Sequence, residues 1–227
     1  LNFKIDLNLI TFIKKNKGKL FLVAKERINY EIQKIAKGVN ALDTIMLIKK
    51  INIFGTDNLY EESFFLDLEK INFAEFNQEE KEKFLPLFFI AQILDEASLQ
   101  KLKFSKVEIA KTKLLRKWHF FLQNKNISQL NELDRFRLHQ ELETFLPSFI
   151  FYLPQNLHLD WLKSWRDKED KLFHPSNLIN GDVIKKNLKI EDGPILGDLL
   201  QYLSKELAYK RLNNFDEAIF KAKQWIE

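Results

Sequence analysis

Between Ala97 and Lys125 the chain sets Lys101, Lys103, Lys106, Lys111, Lys113, Arg116, Lys117 and Lys125 against a single acid, Glu108. Cations at this density suit one chemistry above others. They displace the counterions condensed along a polyphosphate backbone, which is the main sequence-independent source of affinity for nucleic acid. The spacing of Val107, Leu114, Trp118, Phe121 and Leu122 predicts a helix with one apolar stripe turned inward. Lys106, Lys113, Arg116 and Lys117 are then expected to point outward, with Lys101 and Lys103 just ahead of the helix. A solvated helix face is the plainer reading of the same residues, and the residues alone leave both open.

A second candidate for anion contact is Gly193-Pro-Ile-Leu-Gly197. Pro194 suits the first position of a helix, and Gly193 and Gly197 would leave backbone N–H groups uncovered, so that the helix start can accept a phosphate. A tight turn with close helix packing explains the same glycines. Arg27 and Glu31 stand four apart on a predicted helix and can pair, at a few tenths of a kcal/mol. The remaining polar residues offer little for catalysis. His119, His139, His158 and His174 are each followed by something other than Asp, no H-E-x-x-H occurs, and no carboxylates are spaced for two-metal work. No nucleophile has an evident base. The chain by itself is expected to be catalytically inactive, with structural or exposed histidines and no metal or cofactor of its own.

These residues must be positioned by helices. Apolar residues recur at helical spacing nearly everywhere, and no segment keeps a two-residue alternation between turn pairs, so the expected class is all-α, an elongated multi-helix array. Ile5, Leu9, Phe12 and Ile13 make a first stripe that Gly18 ends. Helices follow at about Ala24–Lys37, closed by Gly38, and Ala41–Ile51, before Gly55. Further helices are expected around Glu61–Ile71 and over Gln78–Leu94, where Pro86 should kink or divide the helix. Ser105-Lys-Val-Glu108 has the S-x-x-E capping pattern and starts a helix to about Gln123. Glu132–Glu143 and Leu146–Leu153 come next, then Asp160–Arg166, Gly181–Asn187, Pro194–Tyr209 and Phe215–Ile226, with Asp167–Lys171 as a charged, solvated connection.

With 227 residues, 45% hydrophobic and 30% charged, the chain can bury a real core. No apolar run approaches the ~18 residues of a membrane span. There is no cysteine, which excludes disulfides and thiolate chemistry and fits a reducing, cytoplasmic setting; no signal peptide is visible. The net charge of +4 is mildly basic, so the distribution of charge says more than its sum. Compensating acid lies around Glu61 to Glu82.

Three segments near the end, Leu178-Ile-Asn-Gly-Asp-Val-Ile184, Asp192-Gly-Pro-Ile-Leu-Gly197 and Asn214-Phe-Asp-Glu-Ala-Ile219, resemble in order and spacing the tail of the class II tRNA nucleotidyltransferase (CCA-adding enzyme) and poly(A) polymerase family. Val23-Ala-Lys-Glu-Arg-Ile-Asn-Tyr-Glu-Ile32, Gly38 and Ala41–Ile51 resemble its neck. Leu102-Lys-Phe-Ser-Lys-Val-Glu-Ile109 agrees between them, and His174-Pro175 resembles the loop before the L-x-N-G segment. The resemblance implies a neck at 1–58, a body at 59–155 and a tail at 156–227. It implies that Glu26, Arg27 and Glu31 brace the neck behind a nucleotide pocket, although Ala24 stands where relatives often carry Ser. It implies contact of body and tail with the acceptor and T arms of tRNA, through Lys101, Lys103, Lys106, Lys113, Arg116, Lys117, Gly193 and Gly197.

Family members begin with a head carrying G-S-x-x-D-x-D, R-R-D and E-D-x-x-R segments, and none of these occurs here. The expected partners are therefore tRNA or another structured RNA and a catalytic head of the same polypeptide, with Mg²⁺ held in that head and no membrane involved. A chain beginning at Leu1 is expected to be a piece of something longer. The rival expectations are a headless homologue that binds RNA or serves as a helical protein-interaction module, and an enzyme with an unrecognised active site. The choice among CCA, CC, A or poly(A) addition would lie in the head.

Overall fold

A computed structural model describes residues 5–54, 71, 73–123 and 125–226. Its α-helices are α1 (Leu7–Asn16), α2 (Lys25–Ala36), α3 (Ala41–Ile51), α4 (Gln78–Ile93), α5 (Glu96–Lys101), α6 (Lys106–Gln123), α7 (Glu132–Leu142), α8 (Leu146–Ile150), α9 (His158–Arg166), α10 (Gly181–Leu188), α11 (Pro194–Ala208) and α12 (Phe215–Ile226). No strand occurs among the described residues, and the all-α expectation holds. The expected helix at Glu61–Ile71 falls almost wholly outside the described residues. Short 3₁₀ turns link several helices, the longest running from Lys17 to Leu22.

The chain divides into two compact units. The first comprises residues 1–125 and 147–159, the second residues 126–146 and 160–227. In the first unit α4 is the central element, packed against α2, α3 and α6. Its sequence explains this place. The first turn, Gln-Glu-Glu-Lys, is polar and closed by a capping box between Asn77 and Glu80; the second half is apolar on every side, and a helix apolar all round must be surrounded. Phe84, Phe88, Phe89 and Ile93 are buried there. Phe88 lies 5.1 Å from Phe151 and 4.9 Å from Tyr152, and Phe151 stacks on Phe76 at 4.2 Å.

Of the two outcomes expected at Pro86, a kink or a division, α4 is not divided. Pro86 is buried within a single helix of 16 residues. An internal proline costs about 3 kcal/mol, and the buried phenylalanines on both sides of it, each contributing roughly 1.5–3 kcal/mol, exceed that cost. Sequence reading also missed α5. It is only 6 residues long and starts where the Asp95 side chain accepts from Ser98 N–H.

In the second unit α10, α11 and α12 enclose Ile179, Ile184, Leu196, Leu199, Leu203, Leu212, Ala218 and Ala222. The tail-like segments now have a physical explanation. Asn180 caps α10 by accepting from Val183 N–H at 2.9 Å. A side chain at Gly181 would begin 3.4 Å from Leu196 Cδ2, in ordinary contact with α11. Asn214 and Glu217 close the start of α12 reciprocally, with Glu217 N–H donating to Asn214 Oδ1 at 2.9 Å and Asn213 N–H to Glu217 Oε2 at 2.9 Å. Elsewhere in this unit Arg211 bonds Glu132, and Tyr209 Oη–H donates to Glu132 O at 3.0 Å.

Candidate functional site

The basic segment is held by three capping devices in sequence. Asp95 starts α5. Its end is a Schellman turn, in which Phe104 N–H donates to Leu99 O at 3.0 Å and Lys103 N–H to Gln100 O at 3.1 Å. Lys103 takes the left-handed conformation that this turn requires, at φ 61°, where glycine is the usual occupant. Buried Leu99 and Phe104 pin the turn from within. Ser105 and Glu108 then form the expected capping box: Ser105 N–H donates to Glu108 Oε2 at 2.9 Å, and Glu108 N–H to Ser105 Oγ at 3.2 Å. Glu108 also accepts from Gln33 Nε2 at 3.2 Å, which ties α6 to α2.

The inward face of α6 is Thr112, Leu115, Trp118 and His119. This corrects the expected stripe by roughly a quarter turn, at ~100° per residue. Val107 is exposed, and Leu114 and Phe121 lie half-buried on the flank. Thr112 and His119 carried no hydrophobic signal, yet both are buried. Thr112 can be buried because Oγ1–H donates to Glu108 O at 2.8 Å, and His119 because its ring lies 4.4 Å from that of Tyr152.

The rotation moves Arg116 off the outward face. Its guanidinium donates through Nε (3.2 Å) and Nη2 (2.8 Å) to Ala91 O, near the C-terminus of α4. Burial lowers its pKa, partly offset by Tyr152, Asp95 and Glu96. The expectation that Arg116 points outward is therefore overturned. Tyr152 beside it is pushed up to about 12 by burial, against Arg116 and a 2.9 Å bond from Gln92 Nε2.

Lys106, Ala110, Lys113, Lys117 and Phe120 are all exposed, and steps of three and four residues put them on one stripe. Lys113 pairs with Glu96 at 3.3 Å, both ends in solvent, and Lys117 Nζ sits 5.0 Å from the Trp118 ring centre. Lys101 and Lys103 are also exposed. Lys101 Nζ lies 3.8 Å from the Phe21 ring centre, which Lys25 also faces at 5.1 Å. Lysines far apart in sequence thus meet around one ring, a juxtaposition no spacing rule would reveal. Phe120 lies outside the apolar stripe expected from the sequence, and its step of three from Lys117 places it with the lysines.

Gly193 and Gly197 stand at the start of α11, in the second unit. Gly193 has extended backbone, φ 165°, and nothing lies within 4 Å of a side chain built at either glycine. Close packing therefore does not explain these two. Glu26, Arg27 and Glu31 are exposed on α2. Arg27 and Glu31 border an apolar groove of about 260 Å³ formed with Leu20, Val23, Ile28, Ile32 and Ile48.

Three histidines are buried. His139 lies between Trp161 (5.0 Å) and Phe173 (4.1 Å) with neither ring nitrogen hydrogen-bonded, and burial, with Arg135 and His174 adding to it, lowers its pKa to about 3. His158 faces Leu153 O at 3.0 Å, and the half-buried His174 faces Trp165 O at 2.7 Å. Among the described residues no three His, Asp or Glu side chains converge as metal ligands, and no helix is long and apolar enough to cross a membrane.

No protein-family model matches the chain, and no solved structure matches it. It is similar to a CC-adding tRNA nucleotidyltransferase of Synechocystis sp. (strain ATCC 27184 / PCC 6803 / Kazusa), with 28% identity over 137 residues, 57% of this chain and 32% of that protein. The chain thus spans about a third of the length of the curated relative it matches.

Proposed function

We propose that this chain is the RNA-gripping region of a tRNA nucleotidyltransferase-like protein, and that it holds the acceptor and T arms of tRNA while a head domain adds nucleotides at the 3′ end. In this reading 1–58, 59–155 and 156–227 serve as neck, body and tail in the cytoplasm, and the Mg²⁺ ions belong to the head. The observation that carries the reading is the exposed stripe of Lys106, Lys113 and Lys117 on a helix whose opposite face is locked into the core. The similarity to a CC-adding tRNA nucleotidyltransferase supplies the kind of RNA. Lys101 and Lys103 extend the stripe, and the open start of α11 at Gly193 adds backbone donors elsewhere on the RNA, whereas Gly197 N–H donates to Gly193 O at 3.3 Å and contributes only the space beside it. Arg116 acts as scaffold rather than as a phosphate ligand. Glu26, Arg27 and Glu31 brace the neck, the last two at the border of the apolar groove.

The test is charge reversal. Lys113→Glu with Lys117→Glu should weaken tRNA binding and flatten the dependence of log K on log salt by about 0.7–0.9 for each phosphate no longer neutralised. Unchanged affinity and slope in a variant that still melts cooperatively would reduce this stripe to a solvated face. Supplied with tRNA, Mg²⁺, CTP and ATP, the chain should add no nucleotide, and metal-dependent addition would contradict the division of labour.

A further inference from the structure

We infer that Phe120 is a stacking platform for one unpaired nucleotide of the RNA strand whose phosphates follow Lys106, Lys113 and Lys117. The inference rests on the RNA-binding reading above and adds the form of RNA that this face prefers. Phe120 is 60% exposed and continues the stripe of lysines without a break in register, three residues beyond Lys117 and seven beyond Lys113. At 1.5 Å rise per residue, the Lys113–Lys117 step is about 6 Å and the stripe from Lys106 to Phe120 about 21 Å long, a length suited to several successive phosphates with the ring at one end.

The neighbouring aromatics are committed elsewhere. Trp118 is buried, and Phe121 packs edge-on against it at 5.4 Å with Lys125 Nζ 4.4 Å from its centre. Phe120 is thus the aromatic that α6 presents beside its cations. An exposed ring next to a phosphate-tracking stripe fits the arrangement by which proteins hold single-stranded RNA, because every base has a face that can stack. A paired base inside a duplex offers no such face. Lys113 meets Glu96 at 3.3 Å, seven residues along α6 from Phe120, and an exposed pair of that kind yields readily to a phosphate.

The experiment compares two hairpin RNAs, one blunt and one with a short single-stranded 3′ extension carrying 2-aminopurine. They are titrated into the 227-residue chain, its Phe120→Ala, Phe120→Leu and Phe120→Trp variants, and the Lys113→Glu/Lys117→Glu variant. Wild type should bind the extended hairpin more tightly and quench the 2-aminopurine. Phe120→Ala and Phe120→Leu should lower affinity for that hairpin roughly five- to a hundredfold, abolish the quench, and leave blunt-hairpin affinity and the salt slope unchanged. Phe120→Trp should retain both affinity and quench. Equal affinity of wild type and Phe120→Ala for the extended hairpin would overturn the stacking site while leaving the lysine stripe intact. An equal loss on both hairpins, or retention by Phe120→Leu, would overturn it in favour of apolar contact. Loss of a dimer by Phe120→Ala in gel filtration, with RNA affinity unchanged, would assign the face to protein contact. Failure of wild type to bind either hairpin would bring down the RNA-binding reading together with this one.

Discussion

The Arg116 guanidinium is forked onto the carbonyl oxygen of Ala91, with Nε at 3.2 Å and Nη2 at 2.8 Å. Ala91 stands near the end of α4, where the last carbonyls have no partner within their own helix, so a cation from α6 supplies one and meets the negative end of the helix dipole. Replacing Arg116 by Ala leaves that carbonyl unsatisfied and removes half-buried methylene packing. Arg116→Ala should cost about 2–3 kcal/mol in urea denaturation, and Arg116→Lys part of that. In either folded variant the salt dependence of tRNA binding should stay as in wild type. A drop in slope equal to that of the lysine variants would return Arg116 to the phosphate-binding set.

Gly197 lies in the first turns of α11, with open space where a side chain would begin. Gly197→Ala should therefore raise stability by roughly 0.5–1 kcal/mol, through lower backbone entropy in the unfolded chain. Gly197 N–H donates to Gly193 O at 3.3 Å, so a phosphate received at the start of α11 would meet the added methyl group rather than lose a donor, and the same substitution should weaken tRNA binding. Higher melting temperature with unaltered affinity would remove the α11 start from the interface.

His139 is held neutral among aromatic rings. Its folded pKa of about 3 lies below the ordinary value of 6.5, so the unfolded chain takes up a proton in a range where the folded chain does not. The stabilising difference is whole above about pH 6.5 and is lost as pH falls toward 3, at up to ~1.4 kcal/mol per pH unit. His139→Leu should flatten that slope between about pH 6 and 5, before most carboxylates titrate, in denaturation series at several pH values. Parallel slopes for the two proteins would show that the ring is protonated or hydrated in the fold.

Asn180 shows why the L-x-N-G segment was legible as a pattern while its function was not. Asn180→Ala should cost about 1 kcal/mol as a lost helix cap, and Asn180→Asp only a few tenths, read as a shift in denaturation midpoint. A neutral Asn180→Ala would show that Val183 N–H is satisfied by solvent.

Local rules carried most of the secondary structure. Ser105 caps α6 as its spacing predicts, α10 and α12 begin at their expected residues, α3 begins and ends at its own, and the apolar periodicity of α10 to α12 leads directly to their shared core. Legibility failed where tertiary packing decides which polar residues are buried. Thr112 and His119 lie inside α6, Pro86 is tolerated inside α4, and Arg116 is turned toward Ala91 by its neighbours. Of the candidate site, the lysine stripe could be read in the sequence as charge. Its register, and with it Phe120, could not, because the inward face had been assigned from apolar residues alone.

The order in which the first unit's residues are made has a consequence for a chain folding as it leaves the ribosome. Phe88 is synthesised early, but Phe151 and Tyr152, against which it packs, come some sixty residues later, after the whole of residues 126–146 of the other unit. Until then the side of α4 that carries Phe88 lacks the cover of Phe151 and Tyr152, although α2, α3 and α6 are already made, and a nascent chain stopped at Lys125 would expose that side to chaperones and to other nascent chains. A gene truncated there should yield an aggregation-prone product. One ending after Leu159 regains the segment that seals the phenylalanines, including His158, whose ring bonds Leu153 O. Residues 126–146, already made by then, must wait for 160–227, so the second unit is completed last, by α10 to α12 as they are released.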